Sequence, residues 1–115
     1  MNPAMNRGEV WWVEVEVGFD PAVSSEVRKT RPAVIVSNNT SNRHLARVQV
    51  VPLSSNVERI YPSETVVTLA GQRSKVMADQ IMTADKRRLK QSAGKLSVAD
   101  MQAVDGIIKL QLGLA

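Results

Sequence analysis

Arg31 opens the run Arg31-Pro32-Ala33-Val34-Ile35-Val36-Ser37-Asn38, and Glu26 lies five residues before it. Ser54 and Ser55 close a second run, Val50-Val51-Pro52-Leu53-Ser54-Ser55. Each run is apolar and rich in β-branched residues, the composition of a buried strand. Two neighbouring strands would bring a guanidinium and a hydroxyl to one end of a sheet. A guanidinium gives two parallel hydrogen bonds to a phosphate, and a hydroxyl adds a further donor. Such donors suit a phosphate whose charge grows during a reaction. Taken alone, an Arg before a Pro at a strand start also reads as a surface charge, and Ser54-Ser55 also reads as a turn.

The rest of the chain narrows the chemistry. At 115 residues it suits one domain with an ordinary hydrophobic core. The hydrophobic fraction of 43% and charged fraction of 23% are those of a soluble globular protein. Aromatic residues make up 3%, too few for a broad platform of exposed rings. There is no Cys, which excludes disulfides and thiolate metal sites, and the single histidine, His44, excludes a His-based zinc site and a two-histidine nuclease within one chain. No metal and no cofactor is expected. Fifteen Lys and Arg against 11 Asp and Glu give a net charge of +4. The excess favours a polyanion or an acidic partner, although an ordinary basic surface gives the same count. No apolar run approaches a membrane span, and Met1 to Asn6 lacks the apolar segment of a signal peptide. The expectation is a cytoplasmic protein with no membrane contact, whose residues 1–6 form a flexible extension.

Positioning these residues requires strands. Gly8 to Val17 alternates, with Trp11, Val13, Val15 and Val17 on the expected core face and Val10, Trp12, Glu14 and Glu16 on the other. Trp12 then stands on a mixed face, at a subunit contact, under a loop, or as an ordinary partly covered surface residue. Gly18 to Thr30 has no period and reads as a long connection. Asn38 to Asn42 reads as turns, Val48 to Val51 as a short buried strand, and Glu64 to Leu69 as another strand. A turn at Gly71-Gln72 precedes a strand over Val76 to Ile81, and Thr83 caps a predicted short helix through Lys90. The basic cluster of Lys86, Arg87, Arg88 and Lys90 falls on that helix. His44 falls in a polar loop and is read as solvent-exposed. Ser97 and Asp100 form a helix start, Met101, Val104, Ile108 and Leu112 follow at helical spacing, and Gly113 suits the stop. Five or so strands and a terminal helix make a mainly β arrangement with short helices.

In this order and spacing the chain resembles the MazF/PemK toxins of bacterial toxin–antitoxin pairs, from Arg7 to Leu114. The matching pieces are Arg7-Gly8-Glu9-Val10-Trp11, Ser25-Glu26 ahead of Arg31-Pro32-Ala33-Val34-Ile35-Val36-Ser37, Val51-Pro52-Leu53-Ser54-Ser55, Ala78-Asp79-Gln80 and the capped terminal helix. The resemblance implies a small SH3-like β-barrel with a C-terminal helix, of the CcdB/MazF type, assembled as a homodimer. It implies a metal-independent endoribonuclease that cuts single-stranded RNA at short sequences. It also implies a cognate antitoxin that occupies the substrate groove, and the charge of this chain suits an antitoxin segment that is acidic and disordered when free.

The resemblance places Arg31 at the family's principal catalytic arginine and Ser54 where many members have threonine. Glu26 matches an acidic position, and Ser25, Arg28, Lys29, Ser55, Asp79 and Gln80 are the expected substrate-binding residues. Some members pair an aspartate at the position of Asp79 with an arginine two residues earlier, where this chain has Met77. Glu26 and Asp79 both remain open as general base. Two other readings share the fold: a gyrase poison like CcdB, and a binding module without catalysis. The first ends in an aromatic tail, whereas this chain ends Leu112-Gly113-Leu114-Ala115.

Overall fold

The structure, a computed structural model, describes the backbone of residues 5–20 and 25–114 and the side chains of residues 5–15 and 29–114. Glu9–Asp20 forms β1 and Ser25–Ile35 forms β2, antiparallel partners from Val10 opposite Val34 out to Asp20 opposite Ser25. Most of the expected long connection is therefore strand, since Gly18 pairs with Val27 and Glu16 with Arg28. The ladder is held by backbone bonds and needs no apolar face. A register shift between Glu16 and Gly18 breaks the alternation that a sequence reading looks for. Residues 21–24 of that expected connection lie outside the described residues.

Arg47–Ser54 forms β3, Glu64–Leu69 β4, Gln72–Met77 β5, Met82–Asp85 β6 and Leu89–Lys95 β7. The seven strands follow the order β4-β5-β3-β2-β1-β7, with β6 on β3. β5 and β6 share one side of β3, pairing with Leu53–Ser54 and with residues 47–50 respectively. β4 and β7 end the path, and among the described residues no ladder joins them. Side chains bring them together instead: a Cβ placed on Gly94 would lie 3.1 Å from Leu69 Cδ1. The expected barrel is thus a curled antiparallel sheet whose ends meet without backbone hydrogen bonds. β4 and β5 are joined by Ala70-Gly71, both with positive φ, 50° and 78°, the requirement of a tight two-residue hairpin turn. The turn sits one residue before the expected place.

Asn39–His44 forms α1 and Val98–Leu112 forms α2. The residues of α1 were expected as turns. The Asn38 side chain accepts from Ser41 N at 2.8 Å, because the group that makes a turn also caps a helix. His44 is exposed, as expected, with Nδ1 2.8 Å from Thr40 O. Asn42 is buried, its amide donating to Ser37 O at 2.9 Å and its Oδ1 accepting from the Ser37 hydroxyl.

The expected helix from Thr83 is absent. Thr83 lies in β6 opposite Gln49, and a single 3-10 turn, Lys86–Arg88, leads into β7. Asp85, not Thr83, caps that turn by accepting from Arg87 N at 2.8 Å. Hydrogen bonds from the Arg87 side chain and backbone hold the Asp85 carboxyl below its ordinary value of 3.8. The contribution is present above that value and is lost as pH falls through the lowered one. Val76–Ile81 likewise divides. β5 ends at Met77, and Ala78–Gln80 is a 3-10 turn.

Two apolar clusters lie on the two faces of the central strands. One joins Val10, Val34, Val51, Leu53, Val67 and Val76 to Met101, Val104 and Ile107 of α2. The other joins Trp11, Val13, Ala33, Ile35, Val48 and Val50 to Ala84 and Leu89. Val10 is therefore core, not surface, because α2 covers the face that simple alternation leaves to solvent. The Ser97 cap holds as expected, accepting from Asp100 N at 3.1 Å, and Gly113 ends α2 in the left-handed region. The buried stripe is Met101, Val104 and Ile107. Ile108 is half-buried and Leu112 is exposed.

The expected flexible extension divides at the boundary of the description. Residues 1–4 lie outside the described residues, whereas Met5 packs against the second cluster and Asn6 O accepts from Glu9 N at 3.1 Å.

Candidate active site

Pro32 and Pro52 decide where the site opens. The β2–β3 ladder runs Ile35–Val50, Val34–Val51, Ala33–Pro52 and goes no further. Carried on two residues, the same register would set Arg31 across from Ser54. Neither proline has an N–H to give a ladder, and both sit at its end. From there Ser54 pairs with Lys75 of β5, and Arg31 stays paired with Val13 of β1. The strands part, and a groove of about 550 Å³ opens between Arg31 on one side and Ser54 and Ser55 on the other. Trp12, Leu53 and Leu69 line the same groove.

Arg31 is exposed, and it is in no ion pair with another described side chain. Arg7 makes the contrast. It pairs with Asp105 of α2, its Nε donates to Val36 O at 2.9 Å, and its main-chain N–H donates to Asn39 Oδ1 at 2.7 Å. A concavity of about 390 Å³ lies beside Arg7, but this guanidinium is committed to holding α2 and the start of the chain. Arg31 makes no such commitment to a described side chain.

The Ser54 hydroxyl is half-buried and accepts from Asn56 N at 3.2 Å. That bond uses an oxygen lone pair and leaves the hydroxyl proton to donate outward. Asn56 Oδ1 in turn accepts from Glu58 N at 3.2 Å, so two side-chain turns in succession shape the segment after β3. Lys75 ties that segment down from the neighbouring strand: its Nζ donates to Arg59 O at 3.0 Å and to Glu64 Oε1 at 3.1 Å.

The remaining expected site residues are distributed unevenly. Lys29 is exposed on β2 opposite Val15, two positions before Arg31 and hence on the same face of the strand. Ser25, Glu26 and Arg28 belong to β2, opposite Asp20, Phe19 and Glu16, and their side chains lie outside the described ones. Asp79 and Gln80 are exposed on the 3-10 turn. Asp79 lines a different depression, with Tyr61, Glu64 and Gln111, and the Gln80 amide lies 3.6 Å from Met77 Sδ. Met77 itself is buried. Within one chain the fold brings together Arg31, Ser54 and Ser55, and it does not bring Asp79 or Gln80 into their groove.

The sequence reading missed Gln72 and Ser74, which line the far side of the groove, and Ala93 on β7. Gln72 and Ser74 stand at i and i+2 directly after the tight turn, a spacing that shares one strand face. Ala93 carried no signal, because β7 itself was not recognised.

Arginine and hydroxyl donors gathered at an open, partly apolar groove can hold a phosphodiester whose bases have somewhere to lie. Comparison with known proteins agrees with the fold. Residues 6–112 match the family described as PemK-like, MazF-like toxins of type II toxin-antitoxin systems. Endoribonuclease MazF9 of Mycobacterium tuberculosis (strain ATCC 25618 / H37Rv) is 36% identical over 119 residues, covering 96% of this chain and 98% of that protein. Endoribonuclease MazF of Staphylococcus saprophyticus is 30% identical over 115 residues, covering 96% of this chain and 92% of its own. Among solved structures, an endoribonuclease in complex with its cognate antitoxin, from Mycobacterial species, superposes with a TM-score of 0.79 at 29% identity, covering 99% of this chain and 98% of the other. With the match spanning nearly its whole length, this chain belongs to the PemK-like, MazF-like toxins of type II toxin-antitoxin systems.

Proposed function

We propose that this chain is a toxin endoribonuclease that cuts single-stranded RNA in the groove between Arg31 and Ser54. The observation that supports the reading is that Arg31, in no ion pair with a described side chain, lines one groove with Ser54 and Ser55 where the β2–β3 ladder ends. The relatives named endoribonucleases support it. RNA brings its own nucleophile, the ribose 2′-hydroxyl. A carboxylate takes its proton, the oxygen attacks phosphorus, the bond to the 5′-oxygen breaks, and that oxygen leaves with a proton. The products are a 2′,3′-cyclic phosphate and a 5′-hydroxyl. Arg31 clamps the phosphate oxygens as charge builds on them and can donate to the leaving oxygen, and the Ser54 hydroxyl adds a neutral donor. Glu26 is one candidate for the base. It lies on β2 five residues before Arg31, and Asp79, the other candidate, lines another depression of the same chain, so an RNA-bound assembly decides between the two carboxylates. Lys29, Arg28, Ser25 and Ser55 extend the phosphate track.

The nuclease reading is tested by incubating the purified protein with a long single-stranded RNA in excess EDTA and identifying the new ends. With no Cys and a single His, the chain is poor in transition-metal ligands, and the 2′-hydroxyl route calls for no metal. Cleavage should persist and leave cyclic phosphates. Activity lost on chelation and restored by magnesium would replace this mechanism with a metal-assisted one. Ser54→Ala should slow cleavage less than removal of Arg31, by about tenfold, because a neutral hydrogen bond contributes roughly 1 kcal/mol. A loss equal to that of Arg31→Ala would give Ser54 a larger share of the charge stabilisation.

The working form is a homodimer in the cytoplasm, where its RNA lies. No helix among the described residues is long and apolar enough to cross a membrane. Its partner is a cognate antitoxin with an acidic, disordered segment, consistent with the +4 charge and with the related endoribonuclease solved with its antitoxin. Carboxylates offer the same guanidinium the same kind of oxygen that phosphates do. Peptide and RNA should therefore compete, and rising antitoxin should raise the apparent Kd for RNA. An RNA affinity unchanged at saturating antitoxin would separate the two surfaces.

A further inference from the structure

Trp12 is the large aromatic side chain of the groove, and it is 40% exposed, while its neighbour Trp11 is 8% exposed and donates to Glu9 Oε1 at 2.9 Å. An indole costs free energy when left in water without a use. Its cross-strand partner is Pro32, the residue after Arg31, and Trp12 and Arg31 both line the groove. Leu53 and Leu69 supply apolar surface to the same groove, and Gln72 and Ser74 supply an amide and a hydroxyl. An apolar ring, a cation and polar groups lining one groove match a nucleotide, with its flat base, charged phosphate and hydrogen-bonding edge.

We propose that Trp12 stacks one RNA base next to the phosphate held by Arg31, and that Gln72 and Ser74 read the edge of that base. The proposal rests on the nuclease reading above and adds the source of base choice to it. Stacking on the indole contributes affinity with little discrimination, because every base has a π-face. Discrimination comes from the Gln72 amide, which offers both a donor and an acceptor, with the Ser74 hydroxyl beside it. The exposure of Trp12 in the free chain follows from this role. The surface is covered when the base arrives.

The test uses the full-length protein and a short RNA spanning its own mapped cleavage site, with a 2′-O-methyl ribose replacing the attacking hydroxyl. Affinity is measured for wild type, Trp12→Phe and Trp12→Ala, on the intact RNA and on RNAs made abasic at each position flanking the scissile phosphate. Trp12→Ala should weaken binding of the intact RNA by about 10- to 100-fold, and Trp12→Phe by less. One abasic position should weaken wild type comparably and have little further effect on Trp12→Ala. A Trp12→Ala protein that binds as wild type does, or abasic losses that simply add to the Trp12 loss at every position, would overturn the stacking subsite while leaving the nuclease reading in place. Loss of the dimer mass in both Trp12 variants would also overturn it, assigning Trp12 to a subunit contact. A wild-type protein that cleaves no RNA, so that no site can be mapped, overturns both readings, and one that cleaves but gains nothing from any base flanking the scissile phosphate overturns the stacking subsite alone. Gln72→Ala should reduce the preference for one base at the coupled position by about tenfold. An unchanged preference overturns the edge-reading part.

Discussion

Replacing Arg31 by alanine is expected to lower RNA cleavage by about 10²- to 10³-fold and to leave the fold intact. The loss is that of one charge-stabilising donor aimed at a developing phosphorane. The intact fold follows from where the side chain stands. It is exposed, it is in no ion pair with a described side chain, and its backbone partner Val13 is unaffected by truncation beyond Cβ. Single-turnover cleavage and thermal denaturation of the same preparation measure both halves. Arg31→Lys distinguishes charge from geometry. A lysine keeps the positive charge and loses the paired donors, so it should recover only part of the rate. Cleavage by Arg31→Ala within about tenfold of wild type would move the centre of charge stabilisation elsewhere.

Gly94→Ala is expected to destabilise the protein by about 1–3 kcal/mol and to disturb the groove at the same time. Gly94 has φ of +123°, a backbone conformation that residues with a Cβ rarely adopt, and it sits on β7 opposite Val10. The new methyl would also approach Leu69 Cδ1 to 3.1 Å, so Leu69 must yield. That contact is the seam between the two ends of the sheet, and Leu69 and Ala93 line the groove beside it. A loss of this size lowers Tm by roughly 5–15 °C in a domain of this length. Adding Leu69→Ala to Gly94→Ala separates the causes, since it relieves the contact and leaves the backbone strain. The double variant should therefore regain less than the whole loss relative to Leu69→Ala alone. A Tm unchanged by Gly94→Ala would mean that β7 shifts to accept the side chain and that the seam is soft.

Several features of this protein were set by local chemistry and could be read without a structure. The β-branched runs at Val34-Ile35 and Val48–Val51 had to be strands, and they are central ones. Ser97 and Gly113 had to bound a helix, because a hydroxyl that accepts from the first turn and a residue free to adopt positive φ are local requirements. The pairing of Arg31 with Ser54 and Ser55 was legible for a related reason. Arg31 opens one apolar run and Ser54 closes the other, and the ladder between those runs ends at Pro52.

Tertiary structure decided what depends on contacts between distant segments. The stretch Gly18–Thr30 carries no period because its strands are specified by pairing with each other through backbone bonds, with a register shift in the middle. Asn38 became a helix cap and not a turn because Ser37, Gln49 and Asn42 were on hand to satisfy its surroundings, the Ser37 hydroxyl accepting from Gln49 N at 3.0 Å. Val10 became core only when α2 closed over its face, while Leu112 of the same helix is exposed. The clearest case is the groove itself. Arg31, Trp12, Ser54, Gln72 and Ala93 come from five different strands. Wherever residues so far apart in sequence meet, the register of the curled sheet fixes the meeting point, and no local preference of any one segment contains that information.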